Sequence, residues 1–102
     1  MADELHIAVF PGDGIGVDVI AAARAVLDAA EAEIGGFRLA YEELAAGATL
    51  YRETGQDIAP GAFERARSAD AILLGAMGLP GIRYADGTEI SPHLMMRDRL
   101  GL

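Results

Sequence analysis

Residues Phe10 to Gly16 read Phe-Pro-Gly-Asp-Gly-Ile-Gly, set between a short apolar run (Ile7, Ala8, Val9) and an alanine-rich helical pattern. Such a turn admits close backbone approach, because glycine has no Cβ and tolerates positive φ. The first amides of the following helix favour negative charge, so the chemistry on offer is the holding of an anion or a nucleotide. A tight strand-to-helix turn without any ligand is the alternative. The standard dinucleotide spacing fails: Gly12-x-Gly14 needs a further glycine where Val17 stands, and Gly14-x-Gly16 needs one where Val19 stands. No acidic residue follows about 20 positions on at the end of a clean second strand. A P-loop needs a lysine and the chain has none, while Asp13 would repel a phosphate placed at the turn.

A second group of candidates lies near the far end, where Ser91 and Pro92 open a helix carrying His93, Leu94, Arg97 and Arg99. Read from its neighbours alone, Arg97 is a helix-face arginine that pairs with an acid such as Glu89 or Asp98. Arg99, two positions on, points to a different face and reads as a surface charge. His93 and His6 read as incidental or structural, and Tyr84 and Asp86 as residues that fold their loop.

The elements that must position these residues follow from periodicity. A first strand is expected over about Leu5 to Phe10. A helix from about Gly16 to Glu33 follows, with Val19, Ala23, Val26, Ala30 and Ile34 on its inner face. Gly35 and Gly36 stop it. Phe37, Leu39 and Tyr41 alternate with Arg38, Ala40 and Glu42, as in a strand with one buried face. Residues 47–55 allow one or two helical turns. Pro60 is expected to open a helix through about Ser68, and residues 69–75 form a strand buried on both faces. A glycine-rich loop from Ala76 to Ile90 leads to the last helix, capped by Ser91 and running through Arg99 or beyond. The order is βαβαβα, an α/β layer with a mostly parallel sheet and right-handed crossovers. Three strands make a narrow sheet, so the fold is expected to be incomplete on its own.

Composition narrows the function classes. A hydrophobic content of 52% suffices for a core, although much of it is alanine. The net charge of −8 argues against nucleic acid and anionic membranes. The absence of cysteine removes disulfides, thiol catalysis and cysteine-ligated metals. No apolar run approaches the ~20 residues of a membrane span, and the N-terminus lacks a signal-peptide layout, so a cytoplasmic location is expected.

Taken together, Ile7 to Gly16 (Ile-Ala-Val-Phe-Pro-Gly-Asp-Gly-Ile-Gly), Asp70 to Ala76 (Asp-Ala-Ile-Leu-Leu-Gly-Ala) and the helix bearing Arg97 resemble one family in order and spacing. It is the isocitrate/isopropylmalate dehydrogenase family of NAD(P)-dependent β-decarboxylating dehydrogenases, which also includes tartrate and homoisocitrate enzymes. The resemblance implies that residues 1–102 are the N-terminal portion of one such domain, with no second domain. It also implies oxidation of a malate-type 2-hydroxy acid by hydride transfer to NAD or NADP with decarboxylation, assisted by Mg²⁺ or Mn²⁺ in the full-length enzyme, which is a homodimer. Arg97 then grips a substrate carboxylate through its planar fork. Ile90, Ser91 and Leu94, with His93, surround the part of the substrate that differs between members.

Ser91 either contacts a distal carboxylate or is spent as the helix cap, and Leu94 suits an apolar tail. Ile90 stands where isopropylmalate enzymes carry an acid, and His93 where they carry a leucine. Gly14, Ile15, Gly78 and Glu89 are the expected cofactor neighbours. The catalytic Lys and Tyr and the acidic metal ligands lie beyond Leu102 in such a reading, so no catalytic or metal residue is assigned and the isolated chain is expected to be inactive. Two other readings stand beside it: a self-standing α/β module binding a small anion or nucleotide, and a non-catalytic partner of a full-length subunit.

Overall fold

The computed structural model describes residues 3–102. Strand β1 (Asp3–Phe10) runs through the middle of a three-stranded sheet, flanked by β2 (Phe37–Glu43) and β3 (Ala71–Leu74), and both pairings are parallel. Helix α1 (Ile15–Ile34) connects β1 to β2. The return crosses to the far side of β1 through two short helices, α2 (Ala48–Thr54) and α3 (Ala62–Ser68), and α4 (Pro92–Leu100) closes the chain. Successive crossovers of one hand in opposite directions put α1 and α3 on opposite faces of the sheet. The expected α/β architecture is present.

The core lies on the α3 side. Ala8 and Phe10 of β1 meet Ala62 and Ala66 of α3 and Met96 of α4, with Ile72 and Leu74 of β3 packed around them. Residues paired in register share a face, so Ile7, Val9, Ala71 and Leu73 point to the α1 side.

Four local expectations need correction. The inner face of α1 is not the one expected: Gly16 and Ile20 are buried, while Val19, Val26 and Ile34 are 51%, 69% and 71% exposed. Contacts at the sheet set the rotation of the helix. Gly16 sits against the Pro11 and Ala76 carbonyls, where a Cβ would not fit. Arg24 stacks 4.2 Å from the Tyr41 ring centroid, and Glu31 accepts the Leu39 amide at 2.5 Å. Pro60 does not open α3. Gly61, at φ 80°, occupies the cap position and the helix starts at Ala62. β3 is shorter than residues 69–75 and is an edge strand, with Ala71 exposed and the next three residues half-buried. Finally, Ser91 stands at the cap position of α4 but its hydroxyl makes no capping bond.

Candidate functional site

Three backbone segments converge at the carboxyl ends of the strands, and Asp13 ties them together. Its side chain is buried, 3% exposed, in the turn between β1 and α1. One carboxylate oxygen accepts the amides of Ala48 and Gly78, each at 2.7 Å, and the other accepts the Thr49 amide at 2.8 Å. Burial by itself would raise the carboxyl pKa. The hydrogen bonds from Thr49, Gly78 and Ala48 outweigh it and hold the group below the usual carboxylate range. The Asp13 amide in turn donates to the Ala76 carbonyl at 2.8 Å. The first turn, the start of α2 and the loop after β3 are thereby one unit.

Close packing explains the glycines of this unit. Gly47 has φ 125°, and a Cβ there would lie 2.5 Å from an Asp13 carboxylate oxygen. Gly12, at φ 77°, faces the Ala76 carbonyl so closely that only glycine fits. Much of the glycine pattern around the turn thus serves the approach of backbone to backbone. Asp13 was legible as an acidic residue in a turn; its three partners, 35 to 65 residues away, carried no local signal.

The expected cofactor neighbours fall at this end of the sheet with different surroundings. Ile15 is 70% exposed at the start of α1, and the Gly14 and Ile15 amides have no hydrogen-bond partner among the described residues. The Gly78 amide is taken by Asp13, which leaves its carbonyl and its open flank. Glu89 is exposed and pairs with Arg83 at 3.7 Å.

The helix-borne group is arranged on α4. Arg97 is exposed, and among the described residues it makes no ion pair: Glu89 is engaged by Arg83 and Asp98 does not reach it. Leu94, one turn earlier on the same face, is 55% exposed. Arg99 faces elsewhere, with its guanidinium carbon 5.8 Å from the Phe63 ring centroid. Ile90, expected beside a ligand, is 1% exposed and buried just ahead of the helix start. His93 holds a buried Nδ1 with no hydrogen-bond partner.

Tyr84 anchors the loop that leads into α4. Its hydroxyl donates to Asp57 at 2.5 Å and accepts the Ser91 amide at 3.2 Å, and its ring meets Tyr51 edge-on with centroids 5.4 Å apart. Burial and the Asp57 carboxylate raise the phenol pKa, which keeps the hydroxyl protonated. Asp86 accepts both the amide and the hydroxyl of Thr88, an arrangement that shapes the turn. These two residues fold the loop.

Two grooves are prominent. The larger, about 520 Å³, lies beside the middle of β1 under α3, where the Arg65 guanidinium bonds Glu42 at 2.6 Å. The other, about 460 Å³, opens between the carboxyl ends of β1 and β2 and is lined by Pro11, Asp13, Val17, Leu44 and Leu50. Ligands of open α/β sheets gather at the carboxyl ends of strands, so the second end is the relevant one. Among the described residues no three His, Asp or Glu side chains assemble as a metal site. No helix among them is long and apolar enough to cross a membrane.

Comparison with known proteins agrees on one group. The model of the isocitrate/isopropylmalate dehydrogenase family matches residues 6–102. The chain is 49% identical over 101 residues to a 3-isopropylmalate dehydrogenase of Xanthomonas axonopodis pv. citri, a match covering 95% of this chain and 28% of that protein. It is 39% identical over 104 residues to the 3-isopropylmalate dehydrogenase of Leifsonia xyli subsp. xyli, covering 100% and 29%. The apo crystal structure of a β-decarboxylating dehydrogenase from Thermococcus kodakarensis superposes with a TM-score of 0.68 at 36% identity, covering 95% of this chain and 27% of that one. The chain therefore spans less than a third of the length of these relatives.

Proposed function

The chain belongs to the isocitrate/isopropylmalate dehydrogenase family, and from that premise we propose that it forms the substrate- and cofactor-facing shelf of an enzyme oxidising a malate-type 2-hydroxy acid with NAD or NADP. The observation that carries the reading is Arg97: an exposed guanidinium without an ion-pair partner among the described residues, on the same helix face as an exposed leucine. A planar fork left unpaired beside an apolar side chain suits an acid bearing a carboxylate and a hydrocarbon tail. Arg97 binds and orients the carboxylate, and Leu94 covers the tail. Ser91 offers a hydroxyl not used as a cap, and Ile90 takes part from below by seating the helix start.

Ile15 and the free amides of Gly14 and Ile15 suit the cofactor, an exposed apolar surface beside donors at a helix start. Gly78 and Glu89 border it. The cofactor supplies the hydride acceptor; the chain supplies position. Mg²⁺ or Mn²⁺, the decarboxylation, the acid/base groups and the homodimer are assigned to the rest of an enzyme of this kind. The isolated chain is accordingly inactive.

The test places residues 1–102 in the corresponding position of the Xanthomonas axonopodis enzyme and follows NAD or NADP reduction with isopropylmalate, isocitrate and tartrate. Turnover of one of these acids is expected. Arg97→Ala should lower kcat/KM by about 100-fold or more, from roughly 3 kcal/mol of charge-assisted hydrogen bonding. Inactivity toward all three, or indifference to the substitution, refutes the proposal.

A further inference from the structure

The four residues assigned to the cofactor sit on two separate segments. Ile15 opens α1 with Gly14 at its cap position, whereas Gly78 and Glu89 belong to the stretch after β3 and line a groove of about 350 Å³ there. Neither local sequence fixes how far apart the two contacts lie. The structure fixes it through Asp13, which directly precedes Gly14. Its carboxylate accepts the Gly78 amide at 2.7 Å across a sequence separation of 65 residues. Its own amide donates to the Ala76 carbonyl at 2.8 Å, so turn and loop are joined by two hydrogen bonds of opposite sense. Packing completes the join, since a Cβ on Gly14 would lie 3.6 Å from the Leu79 side chain. The remaining bonds of the carboxylate go to the Ala48 and Thr49 amides at the start of α2, where no ligand contact is assigned. With both oxygens bonded the carboxylate cannot rotate, and the Gly78 peptide keeps its place relative to Gly14.

A ligand that touches two sites binds more tightly than either of its halves, and the gain is lost when the separation of the sites is wrong or unfixed. A dinucleotide is such a ligand, two nucleotides joined through a pyrophosphate. We propose that Asp13 is a cofactor-positioning residue: without touching the dinucleotide, it sets the separation between the Gly14–Ile15 contact and the Gly78–Glu89 contact. The side chain is buried and both its oxygens are engaged, so it acts through the backbone. Its three amide donors also offset the negative charge that the turn would otherwise present to a pyrophosphate. The inference rests on the cofactor role proposed above for Gly14, Ile15, Gly78 and Glu89, and it adds a residue that the ligand never meets.

The experiment uses residues 1–102 placed in the Xanthomonas axonopodis enzyme and measures binding by calorimetry, without an acid substrate. The ligands are NAD or NADP, whichever binds more tightly, and its adenine mononucleotide half, which reaches only one of the two contacts. Asp13→Asn keeps the size of the side chain and one of its oxygens. It should weaken the dinucleotide about tenfold or more and the half less than about twofold. A residue that merely supports the fold would weaken both alike. A thermal melt establishes that the variant is folded at the titration temperature. Where it is not, hydrogen exchange of the unsubstituted protein decides. Bound dinucleotide should slow the Ala48 and Thr49 amides about as much as that of Gly78, and the amides of α3 by a smaller factor. The proposal is overturned by equal weakening of the whole and the half, by an unweakened dinucleotide, or by amides at 48 and 49 slowed no more than those of α3. A protein that binds no dinucleotide at all removes the cofactor role of the four residues and this inference with it. One that binds it and fails these readings removes this inference alone.

Discussion

Replacing Asp13 should cost the fold more than any exposed charge in the chain. Its carboxylate accepts three backbone amides at 2.7–2.8 Å, and Ala48 is fully buried while Thr49 and Gly78 are half-buried. A hydrogen bond to a charged acceptor contributes about 1.5–3 kcal/mol, and a buried donor left unpaired costs about 1–3 kcal/mol. Water reaches two of the three amides in the mutant, so Asp13→Ala should lose roughly 3–5 kcal/mol. Asp13→Asn can keep one oxygen for Ala48 and Gly78 but turns an NH₂ toward the Thr49 amide, and should lose about 2 kcal/mol. Urea unfolding of the purified chain gives both values, with hydrogen exchange at residues 48, 49 and 78 locating the loss.

The pH dependence of the same variants carries a sign. The folded carboxyl titrates below its ordinary value, so its contribution is fully present above the unfolded pKa of about 3.9 and is lost as pH falls through the folded value. The gap between wild type and Asp13→Ala should be constant near neutrality and should close below about pH 4. A loss under about 1 kcal/mol at pH 7, or a gap independent of acid, refutes the account of Asp13 as the tie between the three segments.

Two further substitutions probe the same end of the sheet. Gly47→Ala puts a methyl group 2.5 Å from an Asp13 oxygen at φ 125°, and should destabilise the chain by about 2 kcal/mol or more in a urea or thermal melt. Tyr84→Phe removes the bond to Asp57 and the acceptor for the Ser91 amide; a loss of about 1–2 kcal/mol is expected, with faster exchange of the Ser91 amide.

The element order was legible because its signals are local. Glycines punctuate the chain, Pro92 opens α4, and the run Ile72 to Leu74 reads as a strand. The rotation of α1 was not legible, for a physical reason: alanines occur around most of its circumference, so apolar spacing fits more than one face. What decided it were Gly16 against the carbonyls of Pro11 and Ala76 and the reach of Arg24 and Glu31 to β2. In the candidate site, Leu94 and Arg97 are exposed on α4, whereas Ile90 is buried just ahead of it. Burial of a residue just before a helix depends on the loop that folds over it, and that loop is held by Tyr84 and Asp57, which no short-range pattern links. The expectation that Asp13 merely repels phosphate missed its structural bonds for the same reason.

The phenol of Tyr84 has a consequence for how such a protein changes its preferences. Through one oxygen atom, the peptide at the root of the Leu94–Arg97 helix leans on Asp57, a side chain from the connection between α2 and α3. A shortened or lost acid at 57 would let the helix root settle differently without altering Leu94 or Arg97 themselves. Under the function proposed above, selectivity would then be retuned from a position that a map of the binding surface leaves blank.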